Sequence, residues 1–132
     1  MSEYTLDLEG ARKLLREVVE EKGENHIAED CVIYDYLTFQ DEGQKTPVCI
    51  VGYAIARLVG HEEFQNVGSG FVEIPLASVG IDATPEALQL LSLVQRVQDG
   101  AEVDGLEFDG NRPWGLSLAY AEKHYEEYDY FN

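Results

Sequence analysis

A small α+β domain, mainly helical with a short β-hairpin or small sheet, is the fold class this sequence predicts. Three observations lead there. Apolar residues recur at spacings of three and four in three or four separate segments, each bounded by a helix start or stop signal. Residues 31–39, by contrast, are dense in β-branched and aromatic side chains. Finally, 132 residues that are 45% hydrophobic suit one core, hiding roughly two-thirds of the unfolded surface. Aromatics at 11% and charged residues at 27% are globular values rather than those of a disordered chain, so residues 1–132 read as one domain.

The elements follow in order. Between Asp7 and Lys22, Leu8, Ala11, Leu14, Leu15, Val18 and Val19 form a helical stripe. Glu17, Glu20 and Glu21 lie on or beside its wet face, and Gly23 supplies the stop. Residues 31–39 predict a strand, and residues 40–45, with Gly43, a turn. The apolar run after Pro47 fits a buried strand or a helix. Pro47 in a first helical turn and Gly60 at the end favour a helix over 48–59. Gly68, Ser69 and Gly70 break the pattern, and residues 71–76 read as an extended segment closed by Pro75.

Thr84 followed by Pro85 gives a capping hydroxyl and a preset φ to a helix that continues through Leu88, Leu91 and Val94 or Gln95 to Gln98. Gly100 ends it. In residues 99–112, Asp99, Glu102, Asp104, Glu107 and Asp109 are interspersed with Gly100, Gly105 and Gly110. That composition predicts an acidic loop or short hairpin protruding flexibly between two helices, lightly tethered by Leu106 and Phe108. Asn111, Pro113 and Trp114 open a last helix with Trp114, Leu118, Ala121 and Tyr125 on one side, and residues 122–132 form an acidic, tyrosine-rich tail.

The net charge of −17, from 26 acids against 9 Lys plus Arg, bounds the function. Nucleic-acid affinity comes largely from cations displacing counterions, so direct DNA or RNA binding is excluded from the expectation. The charge reads either as solubility or as the complement of a basic partner, including a protein whose groove the acids fill in place of phosphates. The longest apolar stretches, residues 48–51 and 90–94, fall far short of the roughly 18 residues a membrane span needs. Glu3, Asp7 and Glu9 stand where a secretory signal would be basic and then apolar, which gives a cytoplasmic expectation.

Patterns for chemistry are sparse. Cys31 and Cys49 flank the expected turn at a spacing that permits a disulfide, but two buried thiols are the preferred reading. His26, His61 and His124 are scattered and there is no C-x-x-C pair, so no zinc site is expected. A calcium loop fails in each frame: one starting at Asp99 puts Ala101 and Val103 in ligand places, and one starting at Asp104 puts Leu106 there. Neither Ser69 nor Ser92 sits in G-x-S-x-G, and Gly68-Ser69-Gly70 lacks the lysine of a phosphate loop. The expectation is no metal, no cofactor and no catalytic residue. The option left open is a pairing of Cys31 or Cys49 with His26 or His61.

Three short motifs occur in order: C-I-V-G from Cys49 to Gly52, Q-D-G from Gln98 to Gly100, and P-W-G from Pro113 to Gly115, with Cys31-Val32-Ile33-Tyr34 upstream. Together they resemble small accessory proteins of actinobacterial phages. The resemblance implies a small accessory product and brings no activity with it. This chain departs from that pattern by the acidic insertion between Asp99 and Trp114. Physically, Cys49, Gly52, Gln98, Asp99 and Trp114 read as structural, Gly52 allowing helices to approach and Trp114 anchoring the last helix.

The resulting expectation is a non-catalytic module that binds a host or phage protein with a basic surface. Asp99, Glu102, Asp104, Glu107 and Asp109 would steer the encounter, and Tyr125, Tyr128 and Tyr130 would anchor it. Self-association is compatible with this. A rival expectation, sequestration of a nucleotide signal or other small molecule, requires Arg57, Arg96 and Arg112 to converge on one pocket. A purely structural role is the third.

Overall fold

Asp7 begins the first helix in the expected way, its carboxylate accepting the Gly10 N–H at 2.8 Å. The computed structural model describes residues 4–27, 38–41, 44–68, 72–106 and 110–128. Its elements are β1 (Tyr4–Leu6), α1 (Leu8–Lys22), β2 (Thr38–Asp41), β3 (Gln44–Pro47), α2 (Ile50–Val59), α3 (His61–Phe64), α4 (Glu73–Ser78), β4 (Ile81–Ala83), α5 (Pro85–Gln98) and α6 (Trp114–His124), followed by a 3-10 turn, Tyr125–Glu127. This is the small, mainly helical α+β class expected from the sequence.

Helix α5 is the axis of the fold, with α1, α2 and α6 all packed on it. Thr84 caps it through a hydroxyl that accepts the Ala87 N–H at 3.2 Å, and Pro85 fills the first turn. The periodicity predicted one apolar stripe. Instead Ala87, Leu90, Leu91, Leu93, Val94 and Val97 bury almost its whole circumference, and Ser92, Gln95 and Gln98 are buried with them. A helix with neighbours on three sides keeps only a narrow wet strip, here Glu86 and Arg96. On α1 the expected stripe holds, with Ala11, Leu15, Val18 and Val19 buried and Gly23 closing the helix at φ 97°. On α6, Trp114, Leu118 and Ala121 are buried, and Tyr125 just beyond it is too.

Four expectations are corrected. Residues 40 and 45 were expected in a turn, but the antiparallel register pairs Gln40 with Lys45 and Asp41 with Gln44, so strand continues further toward Gly43. Pro47 ends β3 opposite Thr38 instead of starting α2, a position a proline tolerates because strand ends do not demand its missing N–H. Helix α2 therefore starts at Ile50 with Cys49 as its cap residue. Ile74, Pro75 and Leu76 are helical in α4 rather than extended, since a proline in a first helical turn breaks no hydrogen bond. Residues 31–37, including Cys31, lie outside the described residues. A two-stranded parallel sheet that periodicity did not suggest joins β1 to β4, pairing Tyr4 with Ile81, Thr5 with Asp82 and Leu6 with Ala83.

Candidate functional site

The acidic segment leaves α5 through a closed neck. Gln98 is fully buried, and its Oε1 accepts the Ile50 N–H at 3.1 Å. That N–H belongs to the first turn of α2, where Cys49 supplies no side-chain cap, so Gln98 satisfies a donor that would otherwise be stranded. The Nε2 of Gln98 donates to Asp99 Oδ1 at 2.7 Å, and Gln95 Nε2 donates to the same oxygen at 2.9 Å. Burial pushes the Asp99 carboxyl up to about 6, with the two amides and the charge of Arg96 acting in the opposite direction.

On the other side of the neck, Arg112 is only 3% exposed. Its Nη1 donates to the carbonyls of Val97 at 3.1 Å and Ala101 at 2.8 Å, covering acceptors at the end of α5. Main-chain bonds from Arg112 N to Gln98 O and from Ala101 N to Arg96 O, both 3.0 Å, complete the closure. Gly100 is held at φ +87°, and a Cβ built there would overlap the Gly110 carbonyl, so only a glycine at position 100 lets the two segments pass this closely.

Past the neck, Glu102 and Asp104 are exposed, while Val103 and Leu106 are partly buried against the core. Tyr120 donates its hydroxyl to the Asp104 carbonyl at 2.7 Å. The protruding, flexible loop expected from composition is therefore pinned, among its described residues, by Arg112, Tyr120 and two apolar side chains. Glu107, Phe108 and Asp109 lie outside the described residues. Asp99 departs from its expected steering role and takes the structural one: it is a half-buried cap of α5 aimed inward at two glutamines, not a surface charge.

The tail is corrected in the same way. Tyr125 is 6% exposed, with its ring under Arg12 at 5.5 Å, so it is core and has no surface to offer a partner. Tyr128 is half-buried, its carbonyl accepts Gln89 Nε2 at 3.0 Å, and burial raises its phenol pKa. Tyr130 lies outside the described residues.

Two of the three motifs meet, and each of the three makes a structural joint. Cys49 and Gly52 are buried, and Gln98 ties α5 to Ile50 as described. Trp114 is fully buried, with His26 edge-on at 4.4 Å and Tyr53 at 5.6 Å. The N–H groups of Trp114 and Gly115 donate to the carbonyls of His26 and Glu24, both at 2.9 Å. A Cβ on Gly115 would lie 2.7 Å from that of Glu24, so this strap of residues 24–26 can cross the start of α6 only over a glycine. The glycine after a buried tryptophan was the available signal for it.

The arginines are dispersed. Arg57 pairs with Glu21 at 3.1 Å and Glu17 at 3.5 Å, Arg96 is exposed, and Arg112 is inside the neck. The convergence that nucleotide binding requires does not form. Among the described residues, no three His, Cys, Asp or Glu side chains gather as a metal-ligand group, and no helix is long and apolar enough to cross a membrane. No family model matches the chain, and comparison with curated proteins and with solved structures found no match.

Proposed function

We propose that this chain is a non-catalytic protein-binding module that engages a partner's basic surface through its exposed acids. The observation that carries this is how its cations are used. Arg12, Arg16 and Arg57 are paired with Glu9, Glu122 and Glu17 or Glu21, and Arg112 is consumed inside the neck. The exposed cations that remain among the described residues, Lys13, Lys22, Arg96 and Lys123, are outnumbered by exposed acids such as Glu20, Glu24, Glu62, Glu102 and Asp104, so the charge of −17 is presented outward. A field of that sign raises the encounter rate with a basic partner and repels nucleic acid directly.

The acidic segment is the interface in this reading, because a pinned neck presents Glu102 and Asp104 with little ordering cost on binding. The motif order C-I-V-G, Q-D-G and P-W-G supports a setting as a phage accessory protein acting on a host or phage protein in the host cytoplasm. The test is retention on the immobilised chain. A basic protein should be held at about 50 mM salt and released at about 500 mM, where the Debye length falls to roughly 4 Å. Changing Glu102, Asp104, Glu107 and Asp109 together to Ser should weaken that retention while leaving the melting temperature within about 2 °C, since Glu102 and Asp104 are exposed and surface charges add little stability. An absence of any retained protein at low salt, or retention unchanged by the four substitutions, overturns the reading.

A further inference from the structure

At the opposite end of α5 lies an open groove of about 630 Å³, formed by α4, β4 and the first turn of α5. Helix α5 has 14 residues, which places the groove about 20 Å from the acidic neck. Its apolar lining includes Ile74, Ala77, Ala83 and Leu88, and Ile74 is 48% exposed, the most of any large hydrophobic residue among those described. Its rim carries Glu73 and Asp82, both exposed, and no Lys, Arg or His contributes to the lining. Glu86 stands exposed in the first turn of α5.

The backbone beside the groove is also open. Among the described residues, strand β4 pairs on one side only, with β1. In this parallel register the N–H and C=O of Asp82 face β1, while those of Ile81 and Ala83 face away. Ile81 is buried and Ala83 partly buried, and the main-chain groups of Ala83 have no backbone partner among the described residues. An unpaired edge next to an apolar trough is the arrangement used when an extended peptide adds to a sheet, main chain to main chain, with alternate side chains in pockets.

We propose that this groove docks an extended segment of a partner protein in which apolar residues alternate with Lys or Arg. The pleat of such a strand sends one apolar side chain down onto Ile74 and Leu88 while its neighbours point outward, within reach of Glu73 and Asp82. The rim charge selects the occupant. A second copy of this chain would bring acid against acid, and an acidic peptide would meet the same repulsion. The site is independent of the acidic segment and requires no contact with Glu102 or Asp104.

The probe is a fluorescein-labelled peptide, Lys-Val-Lys-Leu-Lys-Val-Lys, titrated with the full chain and followed by anisotropy at about 0.15 M salt. Saturable binding is expected, weakened about tenfold by Ile74→Asn, because that change removes the exposed apolar floor. Asp82→Lys should weaken it comparably. A peptide with Ser in place of Val and Leu should bind at least about tenfold more weakly than the probe. Glu102→Ser with Asp104→Ser should leave probe affinity unchanged, so a failure here is distinguishable from a failure of the acidic-segment interface. Backbone amide shifts on peptide addition should cluster within residues 73–88, a readout that needs no substitution. Lack of saturation, equal binding of the Ser peptide, unchanged affinity in Ile74→Asn, or shifts confined to residues 99–106 would each overturn the proposal, the last by placing the peptide on the acidic segment.

Discussion

At the C-terminal end of α5 the carboxylate of Asp99 is turned inward and held by two glutamine amides, whereas at its N-terminal end Asp82 and Glu86 stand in solvent beside an apolar groove. One helix thus carries acids of two kinds. Where the chain must turn sharply and re-enter the core, as at Gly100 and Arg112, the acid is part of the joint. Where the chain only has to start a helix, Thr84 does the capping and the acids are left to the surface. Local composition does not separate these roles. The direction of neighbouring donors does.

The largest effect expected at the closed end is from Gly100→Ala. A residue with a Cβ is strained by about 1–2 kcal/mol at positive φ, and here the added carbon also overlaps the Gly110 carbonyl, so the neck must open. The total should exceed about 3 kcal/mol, lowering the melting temperature by about 10 °C. A melt unchanged by this substitution would mean that the neck does not hold the segment.

A smaller effect, of opposite sign, is expected from Asp99→Asn. The folded carboxyl titrates at about 6 against an ordinary 3.8, mainly because burial disfavours the charged form. The folded state therefore binds the proton more tightly. The stability this contributes is fully present below about pH 4 and is lost as pH rises through about 6. At pH 7.5 the ionised group costs the fold about 2–3 kcal/mol as an upper limit. Asparagine keeps an oxygen for both glutamine amides and removes that cost. Thermal melts should show the variant more stable than the parent at pH 7.5, with the gap closing by pH 4. A gap independent of pH would break the contrast between the two ends. At the open end, Asp82→Asn should change stability by less than about 0.5 kcal/mol, as measured by urea unfolding, because its charge is exposed.

Those elements whose determinants are local were legible from the residues themselves. Asp7 and Thr84 cap helices three residues away, and Gly23 and Gly100 adopt the positive φ expected of helix stops. The burial of α5 was not legible, because Ser92, Gln95 and Gln98 look like a wet face until the positions of three neighbouring helices are known. The β1–β4 pair was missed for a different reason: three-residue strands contacting across most of the chain leave no period to detect. Tyr125 shows two signals in conflict. Its helical spacing from Trp114, Leu118 and Ala121 pointed to the core, its tail composition pointed to a partner, and the spacing prevailed. For Asp99, the discriminating signal was the pair of glutamines one and four residues earlier, both within reach of its carboxylate.

With Gly100 and Gly110 in contact and the guanidinium of Arg112 covering the last carbonyls of α5, the residues between them are spliced into a circuit already complete without them. Because the ends of such a loop are fixed by the frame, doubling its length would cost only about 0.6 kcal/mol of closure entropy. The chain can therefore take extra residues between 102 and 109 at little risk to its folding so long as Val103, Leu106 and the Asp104 carbonyl keep their contacts, which makes this neck a socket through which one scaffold can acquire new binding specificities.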